Sequence, residues 1–203
     1  MVERLVVGIT GASGIAYGLR ILEVLKLGPI ETHLVMSKAA ETTLATESDR
    51  KIADVHALAH VVHPVGDLGA PIASGSFRTL GMVIAPCSIK TLSEISTGVT
   101  ATLLSRAADV ALKERRRVVL MVRETPMHVG HLRSMTQAAE MGAVIFPPVP
   151  AFYSWPASIA EMVDQTVGRV LDLFGIDNQL VRRWGEPDGE GQRPVRAFPR
   201  RTV

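Results

Sequence analysis

Leu5-Val6-Val7-Gly8-Ile9-Thr10-Gly11-Ala12-Ser13-Gly14 decides how the rest of the chain is read. Its first five residues are continuously apolar and rich in β-branched side chains. That is the pattern of a strand buried on both faces, as in a parallel sheet. Thr10-Gly11 bounds the strand. From Ser13 to Leu27, Ile15, Leu19, Leu22 and Leu25 recur at helical spacing, and Gly28-Pro29 ends the helix. A second strand is expected from Thr32 to Met36, then a helix after Ser37, whose hydroxyl suits an N-cap.

The same alternation continues outward. The residues from about Asp49 to Gly75 read as a short helix, a short strand and a long loop. Further strands are expected at Met82–Ala85, Val118–Val122 and Ala143–Phe146, with helices at about Leu103–Glu114, His131–Met141 and Ser158–Phe174. Strands alternating with helices imply right-handed crossovers and a doubly wound parallel sheet, a three-layer α/β fold of Rossmann-like or flavodoxin-like type. One domain is expected over residues 1–184. After Trp184 the sequence turns polar and rich in Gly, Pro and Arg, so residues 185–203 read as a C-terminal tail.

Composition narrows the function classes. The 203 residues suffice for a sizeable core, and 47% hydrophobic with 21% charged residues is near the globular average. A net charge of +2 is too small for a nucleic-acid protein. One cysteine, Cys87, excludes an internal disulfide and fits a reducing compartment. No run approaches the ~18 apolar residues of a membrane span, and the N-terminus lacks the apolar stretch of a signal peptide. A cytoplasmic protein without a membrane or nucleic-acid partner is expected.

In open α/β sheets, ligands lie beyond the carboxyl ends of the strands, so the segment after each strand is informative. After the first strand, Gly8, Gly11 and Gly14 set a G-x-x-G-x-x-G spacing, which differs from the dinucleotide and P-loop patterns. Its small residues let backbone approach an anion, and the following helix N-terminus favours the charge. After the second strand stand Ser37-Lys38, where a dinucleotide protein carries an acid for the ribose. After the third strong strand comes Pro86-Cys87-Ser88-Ile89-Lys90-Thr91. Hydroxyls at three strand ends on one edge describe a cradle for a phosphate and a flavin. Cys87 reads as a buried small hydrophobe. His56, His60 and His63 are spaced for a metal but lack supporting carboxylates, so no metal is expected. His128 and His131 read as surface or interface residues, and Met121, Met127, Met135 and Met141 as filler.

The strings GITGASG (8–14), VMSKAAE (35–41), ASGSF (73–77), GMVIAPCSIKTL (81–92), RAADVALKERR (106–116), VRETP (122–126), GAVIFPP (142–148) and PAFYSWP (150–156), in this order, closely resemble the flavin prenyltransferases of the UbiX/Pad type. The resemblance runs from Val6 to Trp184. It implies a metal-independent enzyme that transfers a dimethylallyl group from dimethylallyl monophosphate to N5 of reduced FMN and closes a ring at C6. It further implies a homo-oligomer, typically a dodecamer with sites at subunit contacts, and a UbiD-type decarboxylase that receives the product. Carried onto this chain, Gly11, Ala12, Ser13, Ser37, Ser88, Ile89, Lys90, Thr91 and Arg123 resemble the FMN-binding positions. Arg106, Lys113, Tyr153 and Arg169 resemble the site for dimethylallyl phosphate, and Glu124, Ser13, Tyr153 and Glu47 the catalytic positions.

Chemistry agrees with that division. Departure of an allylic phosphate builds negative charge on the leaving group, which fixed cations neutralise, and such preorganised charge is usually the largest catalytic term. Arg106 and Lys113 are seven apart on one expected helix and so share a face. Ala101-Thr102 and Ile89-Lys90 depart from the family's commoner residues, and Trp155 adds an indole beside Tyr153. A flavin-dependent cysteine decarboxylase would carry an Asn-containing motif where this chain has Ala85 to Lys90. A non-catalytic flavin carrier would not need the cationic clamp. An NAD-dependent oxidoreductase is disfavoured by the glycine spacing and Ser37.

Overall fold

Six strands, β1 (Arg4–Ile9), β2 (Glu31–Met36), β3 (Val61–His63), β4 (Gly81–Cys87), β5 (Arg117–Val122) and β6 (Val144–Ile145), form one sheet in a computed structural model that describes residues 2–184. All pairs are parallel, in the order β3-β2-β1-β4-β5-β6. The order reverses between β1 and β4. At such a switch point the loops leaving the two strands diverge and open a crevice. The chain divides into two compact units, Met1–Pro148 and Val149–Val203; the tail expected at 185–203 lies outside the described residues.

In the first unit the helices are α1 (Ile15–Lys26), α2 (Lys38–Glu47), α3 (Ile52–His56), α4 (Ile89–Thr97), α5 (Leu103–Lys113) and α6 (Val129–Glu140). Side chains alternate across a strand, so Val6, Met82, Ile84, Val118 and Leu120 share one face. They form a core with Leu92 and Ile95 of α4, Leu103, Leu104, Ala107, Ala108 and Ala111 of α5, and Ala138 of α6. α1 packs against β1, β2 and β4. Truncating a fully buried core residue such as Leu120 to alanine costs about 2–5 kcal/mol.

Local chemistry sets the ends of these elements. Ser37, Ser88 and Thr102 cap α2, α4 and α5, each accepting from the main-chain N–H three residues on. Gly98, with φ of 72°, ends α4 in the left-handed region. β4 continues through Pro86 to Cys87, beyond the expected end at Ala85. The β4–β5 register shifts between Ile84 and Cys87, so the proline, which has no N–H, falls where the ladder is already interrupted. α1 begins at Ile15 and not at Ser13, and α6 at Val129, earlier than His131.

The second unit holds α7 (Ile159–Asp172), capped by Ser158, whose hydroxyl accepts from Glu161 N. A short 3-10 turn, Phe152–Ser154, precedes it.

Candidate functional site

A cavity of about 510 Å³ opens at the switch point between β1 and β4. Gly11 borders it after β1, Ser37, Lys38 and Ala39 after β2, Val65 after β3, and Ser88, Lys90, Thr91 and Glu94 after β4. Thr102 and Leu104 at the head of α5 complete the lining. The volume lies within the usual range for small-molecule and cofactor sites.

Two helix heads meet there. Ser37 Oγ accepts from Ala40 N at 3.1 Å, and Ser88 Oγ accepts from Thr91 N at 3.4 Å while donating to Thr91 Oγ1 at 3.2 Å. The first N–H groups of each helix lack intrahelical acceptors and carry the positive end of its dipole. Two such heads, hydroxyls and the Lys38 and Lys90 ammonium groups make an anion seat. A side chain at Gly11 would run into Ala39 of α2, so glycine is what lets the head of α2 lie over the β1–α1 turn. Lys90 is well exposed and ion-paired with Glu94 one turn on.

The head of α1 is different. Gly14 takes φ of 101° and no side chain of its own segment caps the helix. Instead Gly14 N and Ile15 N donate to Glu47 Oε2 at 2.8 and 3.1 Å. The anion expected at this helix is therefore the protein's own carboxylate, delivered by the last residue of α2. Burial pushes the Glu47 carboxyl upward. Hydrogen bonds from the Ser13 side chain and from Gly14 and Ile15, with the Arg123 charge, outweigh that and leave it below the ordinary carboxylate value. Ser13, Glu47 and Arg123 are thus brought together, with Ala12 in the same turn. Ile89, expected at the flavin, packs against the core.

Arg123 and Glu124 follow β5. Arg123 N donates to Cys87 O at 3.1 Å, and Thr125 N donates to Glu124 Oε1 at 2.9 Å. Arg106 pairs with Asp109 at 2.7 Å. Lys113 is the last residue of α5, ion-paired with Glu114 beside Gly75. At 1.5 Å rise per residue it stands roughly 16 Å along the helix from Thr102. Arg106 and Lys113 share a helix, but Lys113 lies at the far end from the cavity, where β5 begins.

Within the second unit, Gln165 Nε2 donates to Tyr153 OH at 3.4 Å and to Arg182 O at 3.3 Å, while Gln165 Oε1 accepts from Arg182 N at 2.8 Å. Trp184 stands edge-on to Tyr153, centroids 5.7 Å apart. Arg169 pairs with Asp172 at 2.8 Å, and Arg183 grips the same carboxylate through two bonds. That fork, with Arg169 beside it, holds the Asp172 carboxyl below its ordinary value.

The remaining candidates are spent elsewhere. His63 Nε2 lies 2.9 Å from His33 Nδ1, and His33 Nε2 lies 2.8 Å from Glu31, which also pairs with Arg4. His60 Nδ1 accepts from Thr32 N at 3.1 Å. His128 caps α6 with its ring centroid 3.6 Å from that of His131. Among the described residues no group of three His, Cys, Asp or Glu is placed to hold a metal. Cys87 is fully buried, and that burial pushes its thiol far above the ordinary range. Met121 is buried, whereas Met127 and Met141 are exposed.

A family model described as Flavoprotein matches residues 2–173. The Escherichia coli (strain K12) protein named Flavin prenyltransferase UbiX is 61% identical over 185 residues, covering 90% of this chain and 98% of its own length. The chain belongs to the UbiX flavin prenyltransferase family. Among solved structures, AnUbiX in complex with FMN and dimethylallyl pyrophosphate is 50% identical with a TM-score of 0.90, covering 93% of this chain and 100% of that one. A dodecameric FMN-dependent UbiX-like decarboxylase from Escherichia coli O157:H7 is 46% identical with a TM-score of 0.88, covering 91% and 100%.

For this UbiX-family chain, the cavity residues that sequence reasoning missed are Ala39, Val65, Glu94, Thr102 and Leu104. Thr102 and Leu104 carried a usable signal, since they flank the start of an expected helix. Glu94 is one turn beyond Lys90 on α4. Val65 follows an edge strand of three residues and carried none.

Proposed function

We propose that the chain prenylates reduced FMN with dimethylallyl monophosphate as donor. The C–O bond to phosphate breaks, bonds form to flavin N5 and C6, and inorganic phosphate leaves. Its activity is that of a metal-independent prenyltransferase. The observation that carries the reading is the likeness, at 50% identity, to a structure holding FMN together with a dimethylallyl donor. The cavity at the β1/β4 switch point, with two capped helix heads, suits the FMN phosphate.

In this reading Gly11, Ser37, Ser88, Lys90 and Thr91 hold the phosphate end of FMN. Ser13, Glu47 and Arg123 form a charged group at the head of α1, where Ser13 can orient a flavin N–H and Glu47 can hold a proton. Ala12 and Ile89 shape the turns on either side. Arg106, Lys113, Tyr153 and Arg169 neutralise the donor phosphate as it departs. Glu124 handles the proton released at N5 or orients Arg123. Arg106, Lys113 and Arg169 each rest against a neighbouring carboxylate, with which a departing phosphate would compete.

Lys113 stands at the opposite end of α5 from the cavity of its own chain, so a lysine from another copy would serve each site. This supports a homo-oligomer, and the dodecameric relative suggests twelve copies. No described helix is long and apolar enough to cross a membrane. We place the protein in the cytoplasm, with its one thiol unpaired, where a UbiD-type decarboxylase takes up the prenylated flavin.

The test is anaerobic incubation with reduced FMN and dimethylallyl phosphate, as mono- and diphosphate in separate arms. The expected product is a flavin heavier by one C5 unit, formed faster from the monophosphate. Flavin that binds but keeps its mass would overturn the transferase reading in favour of a carrier.

A further inference from the structure

Thr10 is the first residue after β1 and is 1% exposed. Its hydroxyl donates to Pro86 O at 2.7 Å and accepts from Ser88 N at 2.8 Å. Thr10 N also donates to Pro86 O, at 3.3 Å. All three contacts cross between chain segments more than seventy residues apart. The reason they matter lies in the sheet. The β1–β4 pairing ends at Gly8 and Ile84. The β4–β5 register shifts between Ile84 and Cys87, and Pro86 has no N–H to offer a neighbour. On the β1 side, then, the segment from Pro86 to Ser88 is tied to the sheet by Thr10.

That segment ends at the N-cap of α4. The direction in which Ser88 presents its hydroxyl, and in which the first N–H groups of α4 point, follows from how the turn before it is held. We infer that Thr10 is a positioning residue for the flavin phosphate: its buried hydroxyl fixes the Pro86–Ser88 turn and so aims the head of α4 into the cavity. This rests on the flavin reading of the cavity. Thr10 does not line the cavity itself; it acts through Ser88.

Valine has nearly the shape of threonine but neither donates nor accepts. In Thr10→Val the Pro86 carbonyl keeps the Thr10 main-chain N–H, whereas the Ser88 N–H loses its acceptor. A partly buried donor left unpaired is costly, and the turn escapes that cost by rotating the N–H, and the head of α4 with it, toward water. Thr10→Ser keeps both bonds.

The experiment measures FMN affinity of the full chain by fluorescence titration for the native protein, Thr10→Val, Thr10→Ser, Ser88→Ala and the Thr10→Val/Ser88→Ala pair. Melting temperatures are taken without FMN. Thr10→Val is expected to bind FMN about tenfold more weakly, the size expected when one partner of a buried hydrogen bond is removed. Thr10→Ser is expected to restore native affinity, and the apparent KM for FMN in Thr10→Val to rise more than kcat falls. Because Thr10 acts through Ser88, the two losses should combine to less than their product. Native affinity in Thr10→Val, or losses that multiply fully, would overturn the assignment. Should the valine variant fail to fold, Thr10→Ala makes the same comparison without the added methyl groups. A native protein that binds no FMN would sink the flavin reading, and this inference with it; a native protein that binds FMN, with Thr10→Val unchanged, sinks the role of Thr10 alone.

Discussion

Glu47 closes the head of α1 by accepting a hydrogen bond from Gly14 N at 2.8 Å, across 33 positions of sequence. The same carboxylate takes Ile15 N and lies beside Ser13 and Arg123. One side chain thus performs the cap that Ser37 and Ser88 provide locally for α2 and α4, and adds a negative charge to the Ser13–Arg123 group.

Glu47→Gln should separate those two roles. Losing a helix-capping carboxylate costs about 1 kcal/mol, or a melting shift of about 2–4 °C for a domain of this size. Prenylation should fall by far more than this stability loss accounts for. Because the fold holds the Glu47 carboxyl low, its stabilisation is complete above the ordinary carboxylate value and drains away as pH falls through the folded one. The melting temperatures of the two proteins should therefore begin to draw together as pH falls below about 4.3. A constant gap across pH would show that the charge is not what stabilises.

Ser88→Asp tests the seat at the head of α4. Aspartate is as good an N-cap as serine, so the helix should persist, while its charge repels the FMN phosphate. FMN affinity is expected to drop by more than an order of magnitude, with little change in melting temperature. Lys90→Ala is the contrasting case. Lys90 is exposed and already paired with Glu94, and exposed pairs are worth at most about 1 kcal/mol. A loss of FMN affinity no greater than about fivefold is expected there.

Lys113→Ala and Ser88→Asp should complement each other. Each alone is expected to be nearly inactive, the first lacking a donor clamp and the second a flavin seat. Co-expressed in one oligomer, some sites would draw an intact cavity from one chain and an intact Lys113 from another. Activity above that of either variant alone is the expected result. Its absence would mean that one chain supplies both.

The His33–His63 pair sets a separate, acid-sensitive step. Burial, and then the neighbouring His33, push His63 below the ordinary imidazole value, with Asp67 opposing. Around the pair lie Glu31, which also holds Arg4, and the ring of Phe77. The fold prefers neutral His63, so this stabilisation is complete above about pH 6.5 and is lost as pH falls toward the folded value. The melting temperature should drop between pH 7 and 5, before carboxylates titrate. His63→Gln, which keeps a polar group facing His33, should flatten that slope, and an unchanged slope would acquit the pair.

Much of this was readable from the chain. The β-branched runs at Leu5–Ile9, Thr32–Met36 and Val118–Val122 announced a buried parallel sheet, and Ser37 and Ser88 announced helix heads on its carboxyl edge. The head of α1 was not readable, because Gly14 has no local cap and its partner is remote in sequence. Helical spacing put Arg106 and Lys113 on one face but says nothing about which end of the helix meets the cavity. Thr10 looked like a turn residue; its two long-range bonds exist only once β1 and β4 lie side by side.

Cys87, buried in β4 with a thiol raised far above neutrality, turns the protein into its own unfolding clock. A disulfide reagent in excess can label it only when the central strand opens, because the closed sheet buries the thiol completely and disfavours its thiolate. Labelling rates across temperature and FMN concentration would then read the opening free energy of the sheet centre directly. Any variant that loosens the turn after Pro86 should be caught by a faster clock before it is caught by lost activity.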